Sequence, residues 1–501
     1  MLILLFAALG IKMLSAQEML GIVNSSRSGI SGSIINPAVS VTSPFYIDIN
    51  IFAIDVFAEN NYIYMAKEEY RFKRFLMKNT QFPTHGEDNN LIVYDYYNSK
   101  DKKAYANMRL MGPSFSVTYG KHSAGLITGA RAVMSAKNIP YEIAKFGFEQ
   151  LEYPPQYDIN YVDNRNIYNA EMAWAEFGLN YSYVIKQQGL DYWAAGATIK
   201  ILRGYAGGYF ATENIDYILP DRDTLIVHNL NAEAGYSLPI DYETNELSNS
   251  PLFKGKGIGL DMGVIYEKKK RYVRNDRVNK LCAQSYIPYQ YKIGISLLDI
   301  GRIKFKDHAE RLVLDNVSTY WPGVNSLEFN NLNDFANTLS NQFYGDSSQL
   351  LQGNEIKVAL PTAVSIQADY NFSGNWYING TMVYPIQFSK SGIIRPVLFG
   401  LTPRYETAMF EASLPLTLYD WTKPRIGISA RFRGFFIGTE KISGFFHFTD
   451  FTGLDFYAGL KISLQKGNCN NEPSDNCGYS EYKKFVKTKK EKKAKNKKMA
   501  E

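Results

Sequence analysis

The dominant period along the chain is two. In the stretch IGLDMGVIY, Ile258, Leu260, Met262, Val264 and Tyr266 alternate with Gly259, Asp261, Gly263 and Ile265. An extended strand sends successive side chains to opposite faces, so this segment is predicted to be a strand, apolar on one face and mostly small or polar on the other. The pattern recurs. Phe177, Leu179, Tyr181 and Tyr183 oppose Gly178, Asn180 and Ser182. Tyr291, Ile293, Ile295 and Leu297 oppose Lys292, Gly294 and Ser296. Val364, Ile366, Ala368 and Tyr370 oppose Ser365, Gln367, Asp369 and Asn371. Ile426, Ile428, Ala430 and Phe432 oppose Arg425, Gly427, Ser429, Arg431 and Arg433. Leu454, Phe456, Ala458, Leu460, Ile462 and Leu464 oppose Asp455, Tyr457, Gly459, Lys461 and Ser463.

Length separates two architectures. Soluble strands usually run about 5–6 residues, whereas tilted strands of a membrane barrel need about 9–11. Several segments here sustain alternation over nine to eleven residues and keep their charges on one face. Long strands are predicted at 45–58, 106–119, 123–135, 171–186, 190–204, 206–212, 257–268, 287–300, 302–313, 360–373, 375–388, 393–419 (two), 422–441 and 450–465. Allowing for splits and merges, this gives about fourteen strands, within two. Stretches 60–104, 136–170, 213–255, 269–286 and 314–358 do not alternate and are expected to be outer loops or inserts, with helices over 141–151 and 327–343.

The remaining features favour a membrane over water. The first residues, MLILLFAALGIKMLSAQ, have an apolar core and small residues before Gln17, the pattern of a signal peptide over residues 1–16. No segment after Gln17 approaches the roughly 20 apolar residues of a membrane helix. A chain integral to a membrane without such a helix must be a closed barrel, because hydrocarbon offers no partners for unpaired backbone groups. The 37 Tyr and 30 Phe against 5 Trp fit this setting, since Tyr is amphipathic and suits membrane interfaces. The fold class expected is therefore all-β: a transmembrane antiparallel barrel over residues 45–465, in the outer membrane, with outer-membrane lipid as its surroundings. A soluble periplasmic β protein is the less favoured reading.

Charge and cysteines refine the ends of the chain. From Lys483 onward there are ten Lys and two Glu, a charge of +8 against a total of +6, so the remainder carries about −2. Residues 466–501 are expected to be a polar, then Lys-rich, periplasmic tail that is either solvated or in contact with lipid, cell wall or a protein partner; nucleic acid is not an expected partner. Cys469 and Cys477 could close a small disulfide loop in an oxidising compartment, and Cys282 is left over.

Signals for chemistry are missing. His85, His122, His228, His308 and His447 show no metal-ligand spacing, and neither an HExxH nor a GxSxG motif occurs. GKGIGLDMG lacks the GK[ST] of a phosphate loop, and alternation continues through it. No catalytic residue, metal or cofactor is expected. Arg425, Arg431 and Arg433 share one strand face. In a barrel they would form a lumen charge patch, either attracting anions or paired with acids such as Asp369, Glu411 and Asp455.

Two sets of residues carry a family resemblance. GISGSIINPA contains Asn36-Pro37-Ala38, which is similar to the NPA motif near the mature N-terminus of the fatty-acid transporter (FadL-like) barrel superfamily. The resemblance implies that residues 17–44 enter the lumen as a plug. YGKHSAGLITGARAVMSAKNIP (119–140), KGIGLDMGVIYEKK (256–269), KIGISLLDIGRIKF (292–305) and the segments around 435–464 resemble an uncharacterised family of outer-membrane barrels with an NPA start, a GxGLDxG strand and an LLDIG strand. This second resemblance implies a FadL-like or porin-like barrel without an established substrate; the NPA start and the FadL-like layout imply passive transport of small, hydrophobic molecules. The alternative is a scaffolding barrel within a larger outer-membrane assembly, reached by its outer loops or its tail.

Overall fold

The computed structural model describes residues 18–68, 93–248, 250–270, 288–446 and 448–464. The signal peptide, Cys282, Cys469, Cys477 and the Lys-rich tail lie outside the described residues.

Fourteen antiparallel strands close into one barrel. β1 (Ile47–Asn60) pairs with β2 (Lys102–Met111, continued by Ser114–Tyr119) on one side. In chain order there follow β3 (His122–Ile139), β4 (Ile167–Gln188), β5 (Asp191–Asp221), β6 (Thr224–Ser237), β7 (Gly255–Lys269), β8 (Tyr289–Phe305) and β9 (Ala309–Pro322). Then come β10 (Ile356–Ala359 and Ala363–Ser373), β11 (Trp376–Pro385), β12 (Leu398–Glu406) and β13 (Phe410–Ser413 and Leu416–Tyr419). β14 (Lys423–Ile426 and Ile428–Phe432), β15 (Phe435–Thr439) and β16 (Gly453–Leu464) complete the order. β16 pairs with β1, so the sheet has no free edge. All but β6 and β9 are staves of the barrel. Three interrupted strands break beside a proline, Pro113, Pro361 or Pro415, which has no N–H to give to the ladder.

The direction of the apolar face decides the surroundings. In β4, Phe177, Leu179 and Tyr181 point outward and are 50%, 65% and 52% exposed, whereas Asn180 and Ser182 between them are buried at 3% and 0%. In β7, Ile258 is 69% exposed while Asp261 is buried. A soluble sheet does the opposite. Covering the barrel with apolar side chains is favourable only where hydrocarbon replaces water. The end that holds Ile47 and Leu464 also carries outward aromatics next to its turns: Tyr119, Trp193, Tyr266, Phe372, Trp376, Phe410, Phe432 and Phe435. That is the placement of an interfacial aromatic girdle. Among the described residues no helix is long and apolar enough to cross a membrane.

The two ends differ. At the end of Ile47 and Leu464 the connections are short except the one from β7 to β8, with turns at Gly120, Gly189, Gly374 and Arg433. At the other end the chain makes long excursions, including helix α1 (Tyr141–Glu149) and helix α2 (Leu332–Tyr344). The strands that flank 269–286, β7 and β8, meet it at the end of Ile47 and Leu464; residues 271–287 lie outside the described residues. Stretches 213–255 and 314–358 are inserts that carry strand of their own over 213–237 and 314–322. β5 runs for 31 residues, and its far half pairs with β6, which pairs with β9. About 9–11 residues suffice to span the membrane, so these strands form a sheet standing beyond it. The strand expected at 302–313 instead straddles the turn between β8 and β9.

Candidate functional site: the occupied lumen

A small barrel can fill its interior with its own side chains, but fourteen strands enclose more space than side chains alone can fill. Here the space at the short-turn end holds the N-terminal segment, residues 18–45, almost every residue of which is buried. The segment consists of one- and two-turn helical pieces (Leu20–Val23, Gly29–Ile34 and Val39–Thr42) and pairs with no strand. Polar groups of the wall hold it instead. The Leu20 amide donates to Glu440 at 2.6 Å and the Ile30 amide to Asp48 at 2.7 Å. The Ser25 hydroxyl donates to Glu411 at 2.8 Å, and Ser26 bonds to Glu406. From the wall, Lys461 donates to the carbonyls of Arg27 (2.6 Å) and Ser28 (2.9 Å).

Asn36, Pro37 and Ala38 occupy a fitted position. Asn36 Oδ1 accepts from the Ala38 amide at 3.0 Å, closing a tight turn around Pro37. Its Nδ2 donates to Gln367 at 3.1 Å and to the carbonyls of Val264 and Ile295 at 3.3 and 3.4 Å. Asn180 donates to the Pro37 carbonyl at 3.2 Å. The inward glycines of β5 and β7 make room for this turn. A Cβ at Gly196 would lie 2.6 Å from the Pro37 carbonyl carbon, and one at Gly263 would lie 2.3 Å from Asn36 Oδ1.

Above the segment sits a buried cluster of ions centred on Asp299. Its carboxylate accepts two bonds from Arg131 at 2.9 Å, one from Lys200 at 2.8 Å and one from Arg395 at 2.8 Å. Lys200 also reaches Asp261 at 2.7 Å, and Arg395 reaches Glu18 of the N-terminal segment at 2.6 Å. Asp261 and Asp299 are the acids of GLDMG and LLDIG. The second motif forms a bulge: Asp299 has a φ of 54°, a left-handed conformation that Asp tolerates. Two residues on, a Cβ at Gly301 would meet the Ile258 carbonyl oxygen at 2.2 Å, so the close strand approach requires glycine. Arg395 comes from the connection between β11 and β12. That connection enters the lumen and places Ile393 in an apolar cluster with Phe57, Trp174 and Phe305. On the outer side of Arg395 lies a cavity of about 100 Å³, lined in part by Tyr105, Tyr419, Ile394, Lys103 and Glu59.

The three arginines do not act together. Arg431 pairs with Glu411 at 2.9 Å, one of the acids expected from the sequence. Arg425 pairs with Glu59 at 2.7 Å rather than with Asp369 or Asp455, because β1 closes the barrel near β14. Asp369 is taken by Arg404 at 2.7 Å. Arg433 departs from the expectation: it lies in the β14–β15 turn with a φ of 52° and is exposed. The alternation that put it on the lumen face ends at Phe432. Sequence reasoning missed the hub residues Asp299, Lys200, Arg131 and Arg395. The signal available was an ionisable residue on the small, polar face of several strands. Among the described residues no three His, Cys, Asp or Glu side chains are grouped to hold a metal.

Outward apolar staves, a polar and ion-paired interior and a closed sheet define a membrane-type β-barrel of fourteen strands. The chain belongs to the Family of unknown function (DUF5723), whose model matches residues 37–440, from Pro37 to just past β15. Among solved structures it is similar to the Pseudomonas putida toluene transporter TodX, with 8% identity, 91% of this chain and 99% of that chain covered, and a TM-score of 0.39. It is also similar to the CymD monoaromatic hydrocarbon channel (9% identity, 91% and 99% covered, TM-score 0.33). A third match is a Pseudomonas aeruginosa FadL homologue (8% identity, 90% and 98% covered, TM-score 0.22). No curated protein matches the chain.

Proposed function

We propose that this protein is an outer-membrane barrel that passes small hydrophobic molecules, and that residues 17–44 are its plug. On this reading residues 1–16 direct export, the long connections face outward, and the polar tail from residue 466 stays in the periplasm. The observation that carries the proposal is how the N-terminal segment is held. Side-chain contacts and single amide bonds fix it, not strand pairing, so it can shift without breaking the ladder that keeps the barrel closed. The apolar cluster around Phe57, Trp174 and Phe305 lines the outer half of the lumen and suits an apolar cargo. Uptake of a small apolar compound by cells producing either the full protein or a form lacking residues 17–40 tests this. The shortened barrel should change the uptake rate; equal uptake with both forms counts against it.

A second reading, a scaffolding barrel, is favoured by the sheet of β5, β6 and β9 that stands beyond the membrane with α2 packed on β9. Purification in mild detergent separates the readings, because a scaffold should bring a stoichiometric partner with it.

A further inference from the structure

One part of the barrel's outer face breaks the rule followed elsewhere. Arg203, Lys256, Lys304 and Lys357 lie on four neighbouring strand segments, in β5, β7, β8 and β10. The registers pair Lys256 with Arg203, Lys256 with Lys304, and Lys304 with Lys357. Directly paired residues point to the same side of a sheet, and this side is the exterior. Leu202, Ile303 and Val358, the alternate residues, are buried in the lumen. Four cations therefore stand in one row across four segments about 4.8 Å apart, a span of about 14 Å. Arg302, exposed on the next row, adds a fifth.

Like charges directly opposite each other destabilise a sheet. Among the described residues one carboxylate is paired with the row: Glu355, with Lys304 at 2.6 Å and Lys357 at 3.4 Å, and it is shared with Lys306 next to the row at 4.0 Å. Five cations against one acid leave +4. The row's position gives it meaning. It sits at the end of the barrel opposite Ile47 and Leu464, directly above the lipid-facing Ile201 and Ile258. That height is where the acyl chains of the adjoining leaflet end and its headgroups begin.

We propose that this row is a binding site on the barrel exterior for the phosphorylated headgroup of a lipid, whose acyl chains lie along the apolar staves below. The charge complementarity and the exposed Ile201 and Ile258 beneath Arg203 and Lys256 both point to a lipid rather than a free anion, which would gain nothing from these two isoleucines. The inference rests on the barrel spanning the membrane and not on what crosses its lumen.

The test is native mass spectrometry of the full protein in mild detergent, titrated with diphosphoryl lipid A, with phosphatidylcholine and with inorganic phosphate. Wild type should retain diphosphoryl lipid A in preference to phosphatidylcholine, and inorganic phosphate should not displace it. Each cation near a lipid surface contributes roughly fivefold in affinity, so Arg203→Gln/Lys256→Gln should weaken binding about 25-fold. Arg203→Lys/Lys256→Arg should retain it. Both pairs should still show heat-modifiable migration, since the Gln pair removes neighbouring like charges and the exchange pair leaves the charges as they are. A control pair at the opposite rim, Lys121→Gln/Lys186→Gln, should bind as wild type. Equal binding by wild type and Arg203→Gln/Lys256→Gln overturns the proposal. So does an equal loss in the control pair, which would mean unspecific attraction, or displacement by inorganic phosphate, which would mean a free-anion site.

Discussion

The Asp299 amide donates to the Asp261 carboxylate at 2.7 Å, joining the acids of the GLDMG and LLDIG strands. The bond places two carboxylates side by side in the lumen, where Lys200 bridges them and Arg131 and Arg395 complete the balance. Because Arg395 also holds Glu18, the cluster links strands, the inward connection between β11 and β12, and the N-terminal segment.

Asp299→Asn should therefore be costly. It keeps the shape but leaves Arg131, Lys200 and Arg395 without their shared anion. Removing one partner of a buried ion pair costs about 3–5 kcal/mol. Asp261→Asn, which touches Lys200 alone among the cations, should cost less. Urea unfolding followed by heat-modifiable migration checks the order. An Asp299→Asn barrel as stable as wild type would contradict the role given to the cluster.

Asn36→Ala removes the three donor contacts of Nδ2 and the turn-closing acceptor Oδ1. Net contributions of about 1 kcal/mol per hydrogen bond give roughly 2–4 kcal/mol of lost docking for the segment. The barrel itself should stay intact. A cysteine at the buried position Ser33 reports this: in the Asn36→Ala background it should react with a maleimide at least tenfold faster, while migration of the folded band is unchanged.

Gly196→Val tests the same docking by steric means. Its side chain would enter the space of Pro37, so the segment must move. Protease should then cut residues 18–43 in the folded barrel. Resistance equal to wild type would show that the wall can yield instead.

Arg431 and Arg433, two residues apart, should behave differently. Arg431→Met leaves Glu411 buried without its guanidinium and should destabilise by about 3 kcal/mol, with Arg431→Met/Glu411→Gln recovering much of the loss. Arg433→Ala, in an exposed turn, should stay within about 0.5 kcal/mol. Denaturation midpoints of the four proteins decide it.

Period-two alternation, strand length and the absence of long apolar segments were enough to read a barrel of about fourteen strands, and both helices fall near where they were expected. Whether Leu179 or Asn180 faces the lumen is not decided by alternation, which is the same for a soluble sheet and a membrane barrel; the closed sheet decides it. Local pattern also could not separate β5 into its spanning and projecting halves, since the alternation runs on into the projecting half. The candidate site was legible at Asn36-Pro37-Ala38 and in the Arg431–Glu411 pair. The Asp299 cluster was not, because residues 18, 131, 200, 261, 299 and 395 meet only once the barrel closes. Arg425 found Glu59 for the same reason.

The central claim is that the segment in the lumen controls passage. Its most direct test is permeation of a small apolar fluorophore into liposomes containing either the full protein or a form without residues 17–43, each first shown to be folded by heat-modifiable migration. The account predicts faster entry through the shortened barrel. Equal rates for both, at the level of protein-free liposomes, would contradict it.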